Sequence, residues 1–232
     1  MLLPADLLSH TLMPWAMAAP ALPLAFMISR KNLFSGLNVA ILTASVTSIL
    51  ANVFFSLMMR TPGILRTDLY LAGILLEFSL AMIMLWSSTP NKFLRVLILT
   101  AGVMLCGSMA SLIFLETEVP YLKNLLIGGH IAIAALALGT LTHQSMASDP
   151  LEKYLTDIPN YWLQAGHFFH FGSMSILLAL AIGEQSGDWA SQWDFALLFT
   201  VSTCIRFILF SAAVMAGRRQ TDVQPIAYTP AV

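Results

Sequence analysis

Charge is what this sequence has least of. Asp, Glu, Lys and Arg together make up 10% of its 232 residues, against about a quarter in an ordinary soluble domain. With 58% of positions hydrophobic, the balance excludes a soluble enzyme and reads as a polytopic membrane protein. The net charge of -1 and the lack of any basic cluster argue against nucleic acid as a partner. Cysteine is scarce too. Cys106 and Cys204 both lie inside apolar runs, where a small buried hydrophobe is the ordinary role, and they carry no information about redox compartment. No Lys or Arg precedes Arg30, so the basic region of a cleavable signal is missing and the first apolar run is expected to stay.

Other absences narrow the chemistry. Lys31, Lys92, Lys123 and Lys153 all fall in loops or at helix ends, which leaves no intramembrane lysine to form a retinal Schiff base. No HExxH sequence and no Ser-His-Asp elbow is present. The methionines, scattered at positions such as Met58, Met59, Met82 and Met104, read as apolar filler rather than copper ligands. Repeats, low-complexity tracts and internal linkers are also lacking.

What is there is a series of long apolar runs. A membrane span needs about 20 apolar residues, and breaks rich in charge or turn residues divide the chain into seven such runs, at 11–29, 35–58, 68–87, 93–115, 122–143, 160–183 and 193–216. The expected fold is all-α: residues 1–219 form one bundle of about seven transmembrane helices, and 220–232 form a cytoplasmic tail. The short connections make sequential helices antiparallel neighbours.

Counting basic residues on alternate sides of the seven runs groups Arg30, Lys31, Lys92, Arg95, Lys153, Arg218 and Arg219 against Arg60, Arg66 and Lys123. The excess side is cytoplasmic by the positive-inside rule, which puts the N-terminus outside and the C-terminus inside. Glu184, Asp188 and Asp194 then lie on the outer side. Trp189 and Trp193 suit the outer aromatic belt, and Tyr154, Tyr161 and Trp162 the inner one. The expected location is the cell membrane, multi-pass, the inner membrane if the source is a bacterium. The first run carries Pro14, Pro20 and Pro23 and is expected to be bent or broken. The second carries Ser45, Ser48, Asn52 and Ser56 on one face, the composition of a helix–helix interface.

Four of the five histidines, His130, His143, His167 and His170, lie between Leu122 and Gly183. Depth, counted at about 1.5 Å per residue, sets Glu77, His130, His170 and Arg206 near one level at the middle of their spans. Charges there are expensive, about 2.5 to 3.5 kcal/mol each on the insertion scale, so Glu77 and Arg206 are expected to face inward and find partners. A buried structural salt bridge is one reading of that pair. A proton path, an anchor for a quinone head group, or contact of Arg206 with an anionic cofactor group are the others.

Histidines on two helices invite a b-type haem with axial imidazoles. His130 and His143 are 13 residues apart, about 140° around a helix, which disfavours two stacked haems. His167 and His170 share a face, and either can oppose His130, with Gly128 and Gly129 allowing a close neighbour or a flat cofactor. A single site is therefore expected, with His130, His167, His170, Arg206 and Glu77 at a cofactor and His130 with His170 as candidate metal ligands. His143, beside Gln144, and His10 read as solvated interfacial residues.

A seven-span zinc hydrolase would need His130, His167, His170 and Glu77 to converge on water. The leading expectation is instead a membrane subunit of an electron-transfer complex of respiratory type, holding haem b or bordering a quinone pocket, embedded in the lipid bilayer and working beside other membrane subunits. Proton or small-ion transport through the midplane groups, and a structural or assembly role, are the alternatives.

Overall fold

The computed structural model describes residues 14–29, 36–58, 65–114, 119–147, 158–183 and 189–222. Among these residues there is no strand, and seven helices follow one another: α1 (Ala21–Ser29), α2 (Gly36–Met58), α3 (Leu65–Ser88), α4 (Lys92–Phe114), α5 (Val119–Ala147), α6 (Pro159–Gly183) and α7 (Trp189–Asp222). Each apolar run of the sequence corresponds to one helix. α5 and α7 outlast their runs by several residues, because backbone hydrogen bonding continues into polar flanks that favour helix. The first three residues assigned above to the tail are thus the end of α7.

Proline accounts for the one interrupted run. A helical turn at 14–18 gives way to a turn at 19–20 before α1 begins. Pro20 brings no backbone donor and disfavours helical geometry at Ala19. Pro23 falls in the first turn of α1, where its missing donor would have had no helical partner. The Ala19 amide still reaches the Trp15 carbonyl at 2.8 Å, and the Leu22 amide the Ala19 carbonyl at 3.1 Å, so the bend is tied rather than open.

Two apolar cores meet on α6. One joins Phe78, Leu85, Ile98, Met109, Ile133 and Phe171 from α3, α4, α5 and α6. The other joins Met27, Ile41, Met84, Leu163, Phe207 and Phe210 from α1, α2, α3, α6 and α7. α6 packs against α5 on one side and α7 on the other. At Gly166 an added Cβ would stand 2.9 Å from the Phe210 ring and 3.2 Å from the Arg206 carbonyl, so only glycine lets α6 and α7 come this close.

The outward surface is apolar. Phe93, Val96, Leu99, Val103 and Met104 project from α4, and Ile83 and Ile208 from α3 and α7. Water penalises such a surface and hydrocarbon does not. Three helical stretches, Lys92–Ser111, Asn124–Met146 and Leu197–Ala216, are long and apolar enough to cross a membrane, and Pro14–Ser29, Asn38–Leu50 and Ala72–Ser88 are shorter apolar stretches.

Of the polar face expected on α2, Ser45 is buried and Ser48 half-buried, while the side chains of Asn52 and Ser56 lie outside the described residues. The same holds for His10, for Tyr154, for the outer-loop residues Glu184, Asp188, Trp189, Trp193 and Asp194, and for most of the charges used to orient the chain: Arg30, Lys31, Arg60, Arg66, Lys123, Lys153, Arg218 and Arg219.

Candidate functional site

Glu77 on α3 and Arg206 on α7 find each other, 129 residues apart in the chain. Arg206 Nη1 donates to Glu77 Oε1 at 2.5 Å, and His170 Nε2 on α6 lies 3.2 Å from the same oxygen. Three helices are thus pinned at one carboxylate oxygen. The other oxygen, Oε2, accepts from none of the described residues, and 37% of the Glu77 side chain stays exposed against 4% for Arg206. One side of the carboxylate is held and the other is open.

The network continues past His170. Its Nδ1 is 3.3 Å from Ser202 Oγ, which also reaches the Phe199 carbonyl at 3.0 Å. Ser202 lies one helical turn before Arg206, on the same face of α7. A hydroxyl has one proton to give. If it goes to Phe199, Ser202 accepts from His170 Nδ1; if it goes to His170, the imidazole keeps its own proton on Nε2, facing Glu77. The same heavy atoms serve both protonation patterns of the ring.

Around this polar line stands an aromatic cage with Phe171 at its centre. The fully buried Phe171 ring lies 5.6 Å from His130, 5.9 Å from His167 in a stacked arrangement, and 5.2 Å from His170. The Arg206 guanidinium carbon sits 5.2 Å from the Phe171 centroid, 5.5 Å from Phe210 and 5.8 Å from Phe207. Cation–π attraction of this kind contributes about 0.5 to 2 kcal/mol per ring, which offsets part of the cost of holding a guanidinium away from water.

His130 is near the network without joining it. Its Nδ1 faces the Leu126 carbonyl at 2.7 Å, one turn back on α5, so that nitrogen carries the proton and Nε2 keeps its lone pair. Its ring packs edge-on against Phe78 at 4.8 Å. Gly129 gives Phe78 its place: a Cβ there would stand 2.5 Å from the Phe78 ring and 2.9 Å from Leu105. Of the two glycines flanking His130, Gly129 allows a close approach, and the neighbour is a phenylalanine. Gly128 has nothing within 4 Å of its Cβ direction.

His167 is fully buried, with neither ring nitrogen hydrogen-bonded. Gln164 Oε1 and Arg206 Nε on the same helix pair are likewise buried without a partner, as are the hydroxyls of Ser45, Thr200 and Thr203.

These positions bear directly on a haem or metal. His170 already engages both ring nitrogens, with Glu77 and Ser202. His130 Nε2 and both His167 nitrogens remain as donors, but Phe171 stands against both rings, and an iron porphyrin between them would require Phe171 to move. Among the described residues no three of His, Cys, Asp and Glu are grouped so as to hold a metal ion. The four-residue convergence that zinc hydrolysis needs is therefore not formed by Glu77, His130, His167 and His170.

His143 is half-buried near the end of α5 and has a polar partner there. Its Nε2 pairs with Asn91 Nδ2 at 3.3 Å, while Asn91 Oδ1 accepts from the amides of Phe93 and Leu94 at 2.9 and 3.2 Å. Asn91 caps α4 and ties the α3–α4 turn to the end of α5. Arg95 secures the same turn, donating to the Thr89 carbonyl and lying over the Trp86 ring.

Sequence reasoning found Glu77, His170 and Arg206 by depth. It missed Phe171, Ser202 and Asn91. The run His167-Phe168-Phe169-His170-Phe171 was the available signal for the first, and Ser202 one turn before Arg206 for the second. Asn91 follows Pro90 at the start of a helix, a capping position. The chain matches no protein-family model, no curated protein and no solved structure.

Proposed function

We propose that this chain is a multi-pass protein of the cell membrane, with seven spans, N-terminus outside and C-terminus in the cytoplasm, that moves protons or a small cation through its polar centre. The single observation that carries this reading is the asymmetry of Glu77. One carboxylate oxygen is fixed by Arg206 and His170, and the other is unpaired on a side chain that stays 37% exposed. A purely structural ion pair does not require an open half, although solvent there lowers the cost of holding the charge. A site that takes up and releases a proton needs it, because the arriving proton must find a free lone pair.

The transfer balances without a cofactor. A proton arriving at Glu77 Oε2 neutralises the carboxylate, and it leaves from the same open face when the anion re-forms, while His170 Nε2 and Arg206 Nη1 stay on Oε1. Arg206 keeps all of its protons and holds the carboxylate in place. Partner subunits in the membrane are compatible with the apolar outer face of α4.

A second reading, a membrane subunit of an electron-transfer complex holding haem b or a quinone, is favoured by one feature: the two unpaired ring nitrogens of His167. Both readings are examined on one preparation, the wild type and Glu77→Gln in liposomes and in detergent. Proton uptake that falls at least tenfold in E77Q, with no reduced-minus-oxidised band, is the outcome expected here. Unchanged flux in a folded E77Q protein would sink the proposal. A b-type α-band that disappears in His130→Ala would move the assignment to electron transfer.

A further inference from the structure

α6 carries three buried polar side chains, and they are in line. Gln164, His167 and His170 occupy positions i, i+3 and i+6, each about 4.5 Å further along the helix axis, and all three are buried, at 0%, 0% and 3% exposure. The lower end of the line is anchored at the α3–α4 turn, where Gln164 Nε2 donates to Ser88 Oγ at 3.3 Å. The upper end is His170 at Glu77. Between them, Gln164 Oε1, both His167 nitrogens and Arg206 Nε are buried with no hydrogen-bond partner.

One unpaired polar atom in a protein interior costs a few kcal/mol, and the hydrocarbon region of a membrane offers no relief. Four within two turns of one helix pair is far outside the usual satisfaction of buried polar groups. Buried water, which makes two to four hydrogen bonds at such places, suits them: His167 offers one donor and one acceptor, Arg206 Nε a donor and Gln164 an acceptor. Aromatic walls, Phe171 stacked on His167 and Phe210 edge-on at 5.2 Å, would keep such a file narrow.

We infer that a short file of water runs along α6 from Gln164 at the α3–α4 turn, past His167, to the Glu77–His170 pair, and that His167 is its relay. A proton accepted at one His167 ring nitrogen leaves from the other, and the ring then turns or exchanges tautomer to reset. The inference rests on the proton-transfer reading and adds to it the side from which the centre is reached, which by the positive-inside orientation is the cytoplasm.

The test is water-edited magic-angle-spinning NMR of uniformly 13C,15N-labelled full-length protein in lipid bilayers, with His167 assigned through its backbone correlations to Gly166 and Phe168. His167 ring signals should build up from water within about threefold of the time needed by exposed loop residues, while Phe207 ring signals stay dark. Gln164→Leu should slow the build-up at His167 at least fivefold. A His167 ring as dark as Phe207, or a build-up unmoved by Q164L, would overturn the path. The readout does not depend on flux. A dry His167 in a protein whose flux requires Glu77 removes the path and leaves the activity standing, and a wet His167 in a protein without flux does the reverse.

Discussion

A buried arginine needs a counter-charge and something to lie against, and Arg206 has both. Glu77 supplies the charge at 2.5 Å, and Phe171, Phe207 and Phe210 supply ring faces within 5.8 Å of the guanidinium carbon. The pair is therefore coupled, since removing Glu77 leaves Arg206 buried and uncompensated, a situation that costs about 3 to 5 kcal/mol in protein interiors, whereas Glu77 without Arg206 keeps its exposed side and His170. A double-mutant cycle isolates this term. Glu77→Gln and Arg206→Gln should each lower the thermal midpoint in detergent, and the double variant should cost about 1 to 3 kcal/mol less than the sum of the singles. Strict additivity would mean that the two charges do not depend on each other, against the geometry. The contact between His170 Nδ1 and Ser202 lies outside the replaced pair.

At the scale of the helix, much of the molecule was legible from hydropathy alone. Apolar length set the seven helices, and Pro20 placed the break before α1. Depth along each run brought out Glu77, His170 and Arg206 as one level, and three helices do meet there. Helical rotation was not legible in the same way. His130 sits near that level yet turns toward Phe78 and its own Leu126 carbonyl, because which face of α5 meets α3 is decided by packing between helices and leaves no trace in spacing. The glycines beside His130 show the same limit. Sequence gives both equal standing, but only Gly129 faces the Phe78 ring. Gly129→Ala should therefore destabilise the protein by about 1 to 3 kcal/mol through overpacking. Gly128→Ala, with open space around its Cβ, should be neutral or stabilising by up to about 1 kcal/mol through reduced chain entropy. Thermal midpoints of the two variants check the contrast, and equal shifts would place Phe78 somewhere other than against Gly129.

For the molecule as a whole, the direction of the polar centre follows from which end of the bundle faces the cytoplasm. The α3–α4 turn, where the line of polar groups on α6 begins, contains Asn91 and is followed by Lys92 and Arg95, two of the seven basic residues from which the proposed topology takes its inner side. Arg95 does more than mark that side, since it donates to the Thr89 carbonyl and covers Trp86, so charge and local structure are fixed together. In the proposed seven-span topology the C-terminus shares this side. A fluorescent protein that matures only in the cytoplasm, fused after Val232, should therefore be bright in cells, and a single cysteine at Asn91 in a background lacking Cys106 and Cys204 should resist membrane-impermeant maleimide until the cells are opened. A dark fusion with Asn91 labelled from outside would invert the protein. The hydrogen-bond geometry at Glu77 would be unchanged by that result, but the polar line on α6 would then reach the centre from outside, and any proton gradient across the membrane would meet Gln164 and His167 before it met Glu77.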